Sequence, residues 1–200
     1  NGSLVINGGT YTCADGVACV HVNGTCLESN VTIIGASLTS PTDIAIQLNG
    51  KGTYTITNAT ITGATGVYIK SGELTVTNST IKGTKTPADY AYTGNGANAT
   101  GDAIVVDACD YPGGAPTLNI ISGTFEGTKG AVGNYNYNGT SAPAIGGIQG
   151  GTFNTEVPVA LCADGYIPVK NGENNYGVTK TAKTFSLEDL VTTVGTGADY

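Results

Sequence analysis

The sequence predicts an all-β chain that folds as a right-handed parallel β-helix, or β-solenoid, of about six coils and ends in a hairpin. Three observations predict this fold class: a composition rich in turn-forming and β-branched residues, an eight-residue block that occurs six times, and a spacing of 20–28 residues between most neighbouring blocks. Two short strands per coil fit that spacing, whereas a propeller blade needs about 40–45 residues. The right-handed sense follows from known folds of this kind.

The composition favours short strands joined by tight turns. Glycine accounts for 31 of the 200 residues, roughly twice its usual share of about 7%. Charged residues make up 12% of the chain, against about 25% in an average domain. Helical bundles and coiled coils depend on Ala, Leu, Glu, Lys and Arg, so this composition excludes them. Glycine and β-branched residues suit turns and strands instead.

The charge balance excludes two classes of partner. All eight basic residues are lysines, and the formal net charge is −7. Nucleic acids are bound by a basic face that displaces counterions, so no nucleic-acid partner is expected. No apolar run approaches the roughly 18 residues of a membrane span, so membrane insertion is not expected either. The first residues already follow a strand-like pattern without a signal peptide, and we expect further sequence upstream.

The eight-residue block is the strongest feature of the sequence. Its six copies are LVINGGTY (4–11), VTIIGASL (31–38), YTITNATI (54–61), LTVTNSTI (74–81), LNIISGTF (118–125) and GGIQGGTF (146–153). The third position is always Ile or Val, the seventh is Thr or Ser, and the eighth is large and apolar. Strands at one position should therefore stack in parallel, with apolar side chains in continuous buried columns. Asn58 and Asn78 share the fifth position and should stack side by side.

A second apolar stretch follows most blocks and predicts a second strand in each coil. Its inward-facing pairs are Val17 and Cys19, Ile44 and Ile46, Val67 and Ile69, Ile104 and Val106, and Val159 and Leu161. Four of these pairs begin seven residues after the Thr or Ser of the preceding block. The pair that follows the fourth block comes later, because an insertion at about 84–100 precedes it.

The chain divides into three predicted parts. Residues 1–166 form the β-helix with its insertion, and residues 167–178 form a hairpin that covers the open end. The hairpin is centred on Asn171-Gly172, because Asn-Gly is a strong signal for a two-residue turn. Residues 179–200 form a tail in which Ser186–Leu190 begins a short helix with acidic residues in its first turn.

The carboxylates do not predict an enzyme. Asp102, Asp107 and Asp110 form the one cluster, and the strand alternation points Asp107 outward. Glycoside hydrolysis needs two carboxylates about 5–10 Å apart, and the polygalacturonase-like signatures and the arginine base of pectate lyases are absent. Solvated turn carboxylates are the favoured interpretation, with a weak calcium site as the alternative. No catalytic residue and no cofactor are predicted.

The cysteines and the glycosylation sequons give two further expectations. Cys13 and Cys26 flank the strand that contains Cys19, so a Cys13–Cys26 disulfide is the predicted pairing, with Cys19 in the core. No Cys-x-x-Cys pair occurs, which argues against a zinc site. In a protein secreted by a eukaryote, the sequons would make glycan acceptors of Asn23, Asn30, Asn58, Asn78, Asn98 and Asn138.

Four tyrosines are the candidate residues for binding a ligand or partner. Tyr90 and Tyr92 lie in the insertion, and Tyr135 and Tyr137 lie in a loop of the following coil. Long loops on solenoids often form the binding surface, and tyrosines suit sugar stacking or protein contact. The alternative is that these rings pack on the coil itself.

Two stretches resemble a known family: TGDAIVVDACDYPGGAPTLNIISGTFEG (100–127) and GGTFNTEVPVALCADGYIPVK (150–170). They are similar to the pectate-lyase-like β-helix segments of large, repeat-rich, wall-associated surface proteins from anaerobic Gram-positive gut bacteria. The similarity covers about 70–170 well and the rest loosely. It implies an exported protein at the cell surface or outside the cell, and it implies no particular activity.

Together these observations predict a non-enzymatic extracellular segment of a bacterial surface or appendage protein, either an adhesin or a structural stalk. Its expected partners are a glycan or a host-surface protein, and its open end would allow head-to-tail self-association into filaments. Two alternatives stay open. One is a carbohydrate-active enzyme of the pectate-lyase-like superfamily, and the other is a virion fibre or tailspike segment.

Overall fold

The computed structural model of the chain describes residues 2–94, 96–137 and 142–181. These residues form strands and turns and contain no α-helix, with one 3-10 turn at Val159–Leu161. The all-β class predicted from the composition is therefore confirmed. The predicted helix at Ser186–Leu190 lies outside the described residues.

Seventeen strands make up two sheets. In chain order they are β1 (Gly2–Asn7), β2 (Thr10–Thr12), β3 (Val20–Val22), β4 (Ser29–Ile34), β5 (Ser37–Leu48), β6 (Gly52–Thr57), β7 (Thr60–Ile69), β8 (Glu73–Thr77), β9 (Ser79–Gly83), β10 (Asp102–Ala108), β11 (Thr117–Ile120), β12 (Gly123–Gly127), β13 (Gly130–Asn136), β14 (Ile145–Ile148), β15 (Thr152–Phe153), β16 (Tyr166–Gly172) and β17 (Asn175–Lys180). All pairings are parallel except those made by β17.

The parallel strands form three rows, so the predicted two strands per coil are wrong: each eight-residue block turns a corner and contributes to two rows. Row one is the first sheet, in the order β1-β4-β6-β8-β11-β14. Row two joins β2, the first half of β5, the first half of β7, β9, β12 and β15. Row three joins β3, the second half of β5, the second half of β7, β10 and β13. From β1 to β15 the chain visits the rows in the repeating order one, two, three.

The eight-residue blocks stack in the register that the sequence predicts. The third position of every block pairs with the third position of the next, in the column Ile6, Ile33, Ile56, Val76, Ile120 and Ile148. The eighth position forms the column Tyr11, Leu38, Ile61, Ile81, Phe125 and Phe153. The side chains of both columns are buried except in the first block, where Ile6 is half-buried and Tyr11 is exposed.

Asparagines make the corner between rows one and two in the third and fourth blocks. Asn58 and Asn78 adopt left-handed backbone conformations, with φ of 52° and 46°. Asparagine tolerates this conformation better than other residues with a side chain. The Nδ2 of Asn78 donates to Oδ1 of Asn58 at 2.7 Å, so the predicted stacking of the two side chains is confirmed.

In row three, the predicted alignment of β7 with β10 is confirmed, because Val67 pairs with Ile104 and Ile69 with Val106, whereas the predicted alignment of β5 with β7 is wrong by two residues. Ile44 was expected to stack on Val67, but it pairs with Thr65, and Ile46 pairs with Val67. A bulge between Ser40 and Ile44 gives β5 two more residues at this corner than β7 has. Fixed spacing from the block therefore fails here, because the turns between rows two and three differ in length.

The two outermost coils also depart from the inward-facing pairs that the sequence predicts. Val17 precedes β3 and is 50% exposed. Val159 lies in the 3-10 turn and is 62% exposed, whereas Leu161 is buried. Cys162 makes a parallel bridge to Ile148, so this segment continues row one beyond β14.

The C-terminal hairpin covers one edge of row two. β17 pairs antiparallel with β15 through Phe153 and Tyr176, and β16 pairs with β17. The predicted turn at Asn171-Gly172 is wrong, because Gly172 pairs with Asn175 and still belongs to the ladder. The reversal falls at the next two residues, of which Asn174 has a φ of 50°.

The buried column at the third position should dominate the stability of the fold. Replacing Ile56 by Ala removes a side chain that is 2% exposed between Ile33 and Val76. We expect Ile56→Ala to lower the free energy of unfolding by about 2–5 kcal/mol. The neighbouring Thr55 is half-buried on the opposite face, and Thr55→Ala should cost less than about 1 kcal/mol. Urea unfolding measures both; equal losses would contradict the assignment of the buried face.

Candidate functional site

The insertion lies on the face of row three that points away from the main core. The insertion begins just after β9. There the amides of Thr84 and Lys85 donate to the carbonyl oxygens of Gly63 and Ala64, at 2.9 and 3.1 Å. The row-three parts of β5 and β7, together with β10, are therefore covered on both faces. The second, smaller apolar cluster that results contains Ile44, Ala64, Tyr68, Ala99 and Val105.

An ion pair lies beneath the insertion. Lys70, which directly follows β7, and Asp107 on β10 have fully buried side chains, and Nζ lies 3.7 Å from Oδ2. The phenols of Tyr68 and Tyr90 donate to the two oxygens of Asp107, to Oδ2 at 2.9 Å and to Oδ1 at 2.8 Å. Burial and the neighbouring Asp107 charge raise the pKa of both phenols. Both phenols therefore remain protonated donors at neutral pH.

Lys70 also holds the insertion in place. Its Nζ donates to the carbonyl oxygens of Gly94 and Gly96, at 2.7 and 2.6 Å. Desolvation lowers the pKa of this amine, and the charge of Asp107 opposes that shift. A buried ammonium is costly unless its hydrogens are all accepted. The two loop carbonyls accept hydrogen bonds from Nζ, and the Asp107 carboxylate at 3.7 Å balances its charge.

Asp102, at the start of β10, is a second buried carboxylate. Its Oδ2 accepts from the hydroxyl of Thr100 at 2.6 Å and from the phenol of Tyr135 at 3.1 Å. Burial raises the pKa of Asp102, and the two hydrogen bonds oppose the rise. These contacts fix the return of the insertion into β10 and the position of the Tyr135 ring.

The four predicted tyrosines form two stacked pairs. Tyr90 stacks on Tyr135 with ring centroids 4.6 Å apart, and Tyr92 stacks on Tyr137 at 3.7 Å. The first pair is half-buried and its phenols are engaged by Asp107 and Asp102. Tyr92 and Tyr137 are 40% and 44% exposed. The structure thus divides the predicted site into a packed inner pair and an exposed outer tyrosine pair, Tyr92 and Tyr137.

The carboxylate predictions need correction. Asp107 does point away from the main core, as the alternation indicates, but it is fully buried because the insertion covers it. Asp102 is also buried, and only Asp110 is exposed. The described residues contain no group of three or more Asp, Glu, His or Cys that could hold a metal ion. The predicted solvated cluster and its calcium alternative are therefore wrong.

The predicted disulfide is wrong as well. Cys13 is bonded to Cys19, with 5.6 Å between their Cα atoms, and Cys26 is a free thiol. The amides of Cys13 and Cys19 bond the carbonyl oxygens of Thr39 and Ala45 on the neighbouring strand β5. Both cysteines thus belong to the corner between rows two and three, whereas Cys26 lies beyond β3 in the next turn.

Most of the sequons lie at the surface. Asn23, Asn30, Asn58 and Asn78 are exposed and Asn98 is half-buried, whereas Asn138 lies outside the described residues. The Asn78 amide nitrogen, which would bear a glycan, already donates to Asn58. Glycosylation at that position would therefore disrupt the asparagine stack.

A groove crosses the beginnings of the row-one strands and was not found from the sequence. It has a volume of about 550 Å³ and includes Glu28, Lys51 and Glu73 in its lining. Asn119 donates to Glu73 at 2.8 Å. The groove is lined by charged, polar and small apolar residues and by no aromatic side chain, so its surface chemistry differs from that of the outer tyrosine pair.

Sequence reasoning also missed Tyr68, Lys70 and Tyr111 as parts of the site. The rings of Tyr68 and Tyr111 lie 5.7 and 5.3 Å from the Lys70 ammonium nitrogen. Tyr68 and Lys70 alternate with the inward-facing Val67 and Ile69, which marks them as facing away from the core. Their burial depends on the insertion, which is encoded in the following coil.

Comparison of the chain with family models, with curated proteins and with solved structures gives no match. Among the described residues, no helix has the length and apolar character needed to cross a membrane.

The raised pKa of Asp102 predicts a specific pH dependence. In the folded state this carboxyl holds its proton above its ordinary pKa of 3.8, so its contribution to stability falls as pH rises through the folded pKa. Asp102→Asn removes that loss. We expect the stability of the variant relative to the parent to increase between about pH 3 and pH 7 in urea unfolding.

The exposed Asp110 provides the matched control for this measurement. Asp110→Asn makes the same chemical change on an exposed side chain and so measures the effect of removing one carboxylate at the surface. If the Asp102→Asn curve were parallel to the parent, Asp102 would not hold its proton more tightly in the folded state.

Proposed function

We propose that the three rows close into a right-handed parallel β-helix. The support is the cyclic order of the strands: each coil visits rows one, two and three before the next coil begins beside it. Buried columns from rows one, two and three belong to a single apolar cluster, which is the arrangement a closed coil produces. Handedness follows from known folds of this kind.

We propose further that this solenoid is a non-enzymatic, extracellular segment of a bacterial surface or appendage protein, an adhesin or structural stalk. The regular stacking and the acidic, threonine-rich composition support a rigid, solvated rod. The resemblance of residues 100–127 and 150–170 to surface proteins of Gram-positive bacteria supports the extracellular location.

The outer tyrosine pair is the proposed contact surface, and its exposure is the observation on which the binding role rests. Tyr92 and Tyr137 present 40% and 44% of their surface although both are held in a stack. Rigid tyrosines give a large contact area at little cost in side-chain entropy. Beside them lies a small cavity of about 210 Å³, lined in part by Cys109, Tyr111 and Pro112. We propose a glycan or a surface protein as the partner.

Head-to-tail self-association is the proposed mode of assembly. In the described residues β1 pairs only with β4, and its outer edge is unpaired. Leu4 and Val5 on this strand are 42% and 65% exposed. An exposed strand edge with apolar side chains is a template for another strand. A contact between opposite ends of two solenoids does not close and so extends into a filament.

The polar groove on row one favours a carbohydrate-active enzyme as the second candidate. Glu28 and Glu73 line the same groove, and paired carboxylates are the usual catalysts of glycoside hydrolysis. Product formation from a glycan, lost in Glu73→Gln, would establish this activity.

A glycan panel tests the binding role. We expect Tyr92→Ser combined with Tyr137→Ser to reduce binding at least tenfold, because about 1.4 kcal/mol of contact energy corresponds to a factor of ten. Tyr11→Ser is the matched control, since Tyr11 is 46% exposed on β2 at the opening of the first coil. Equal binding by the double variant and the parent would overturn the assignment of the surface.

A further inference from the structure

Lys70 and Asp107 are two reactive groups that the proposed binding role does not use. Lys70 directly follows β7 and Asp107 lies on its hydrogen-bonded neighbour β10, and neither side chain is exposed to solvent. The amine nitrogen is 3.7 Å from Asp107 Oδ2. An amine and a carboxyl group held together out of water are the two halves of an amide bond, and such positioning replaces a bimolecular encounter by an intramolecular one.

The neighbours of the Lys70 nitrogen orient it toward the carboxyl group. Two carbonyl oxygens, from Gly94 and Gly96, accept its hydrogens at 2.7 and 2.6 Å. A neutral amine has two N–H groups and one lone pair, and carbonyl oxygens can only accept. Because the loop carbonyls accept both N–H groups, the third position on Nζ is the one that faces Asp107. Transfer of the third ammonium proton to Asp107 therefore leaves the lone pair directed at the carboxyl group.

The carboxyl group is in turn held by two donors. Tyr68 donates to Oδ2 at 2.9 Å and Tyr90 donates to Oδ1 at 2.8 Å. Attack on a carboxyl carbon places negative charge on its oxygens, and preorganised donors in a dry site stabilise that charge. The two phenols are thus in position to polarise the Asp107 carboxyl and to stabilise the tetrahedral intermediate.

Aromatic rings keep the amine dry. The ring centroids of Tyr68, Tyr92 and Tyr111 lie 5.7, 5.5 and 5.3 Å from the Lys70 nitrogen. Desolvation lowers the pKa of Lys70 and so increases the share of the neutral, nucleophilic amine. Exclusion of water also disfavours hydrolysis of an amide once it has formed.

We propose that Lys70 and Asp107 condense to form an intramolecular isopeptide bond between the end of β7 and β10. The ammonium first gives a proton to the carboxylate. Nζ then attacks Cγ, the C–N bond forms, and one C–O bond breaks. The departing oxygen takes the carboxyl proton and a second proton from Nζ and leaves as water. One ammonium and one carboxylate give one amide and one water, and no oxidant or cofactor is needed.

The bond joins two neighbouring coils across β8, β9 and the insertion. It fixes the row-three strands to each other by a covalent link in addition to their hydrogen bonds, and it closes the chain into a loop. A cross-link of this kind removes conformations from the unfolded chain. It goes beyond the proposed binding role and does not depend on it.

Mass spectrometry of the purified, folded chain tests the proposal. We expect an intact mass lower by one water molecule than that of the sequence with its single disulfide. We also expect trypsin to leave Lys70 uncut and to release a branched peptide in which residues 52–82 are joined to residues 86–129. A parent protein with the full mass and normal cleavage at Lys70 would overturn the proposal.

A second ion pair in the chain tests whether proximity alone is sufficient for the amide bond to form. Lys82 and Glu126 form a closer ion pair, with 2.8 Å between Nζ and Oε2, but their side chains are 44% and 47% exposed. Bulk water reaches both side chains and opposes the condensation, so this pair should stay unjoined and trypsin should cut after Lys82. A link at Lys82 in place of Lys70 would show that burial is not what drives the reaction, and it would contradict the proposal.

Two variants distinguish formation of the isopeptide bond from other reactions that release water. Lys70→Arg should show the full mass, because guanidinium is not nucleophilic at neutral pH. Asp107→Asn should lose ammonia in place of water, because the leaving group changes with the side chain. If Lys70→Arg still lost water, dehydration at Asp15-Gly16 or Asp164-Gly165 would be the cause and the proposal would fail.

Discussion

In-register parallel stacking of identical block positions is the constraint on which the rest of this structure depends. A slip of one residue would turn every buried side chain of a strand toward solvent, so the apolar column at the third position fixes the register of each coil. The same constraint determines the corners. Gly63, Gly83 and Gly127 stack on one another, and a Cβ on Gly83 would lie 2.2 Å from the carbonyl oxygen of Asp102. Glycine is required at this corner, because the Cβ of any other residue would overlap the backbone of a neighbouring segment.

The insertion adds a second packed layer to this regular frame. Without it, Lys70, Asp107 and Tyr68 would lie on the solvated face of row three. By covering them, the insertion converts ordinary surface groups into a buried network in which each polar atom must find a partner. The network orders the inner tyrosines, and these in turn support the outer tyrosine pair at the surface. The buried ion pair therefore connects the packing of the insertion with the surface proposed for binding.

The sequence reveals the repeating part of the fold because its signals are local. Each block specifies its own buried positions. Asparagine tolerates a left-handed backbone better than most residues with a side chain, so Asn58 and Asn78 indicate a corner in the sequence itself. The alignment of β5 with β7 in row three was not predictable in the same way, because a bulge at Ser40–Ile44 changes the spacing between the block and the second apolar stretch. The burial of Asp107 and the Cys13–Cys19 pairing depend on which chain segments meet across coils, and no periodic pattern encodes that.

The distance between labels at Ser3 and Ile145 tests the stacked architecture most directly. Both residues are exposed and occupy one column of row one, five strand spacings apart. With the free thiols of Cys26, Cys109 and Cys162 replaced by serine, spin labels at the two positions can be measured by pulsed electron resonance. Stacking predicts a narrow distribution near about 24 Å, which is five spacings of about 4.8 Å. A broad distribution, or one centred far above this distance, would contradict the stacking of these coils.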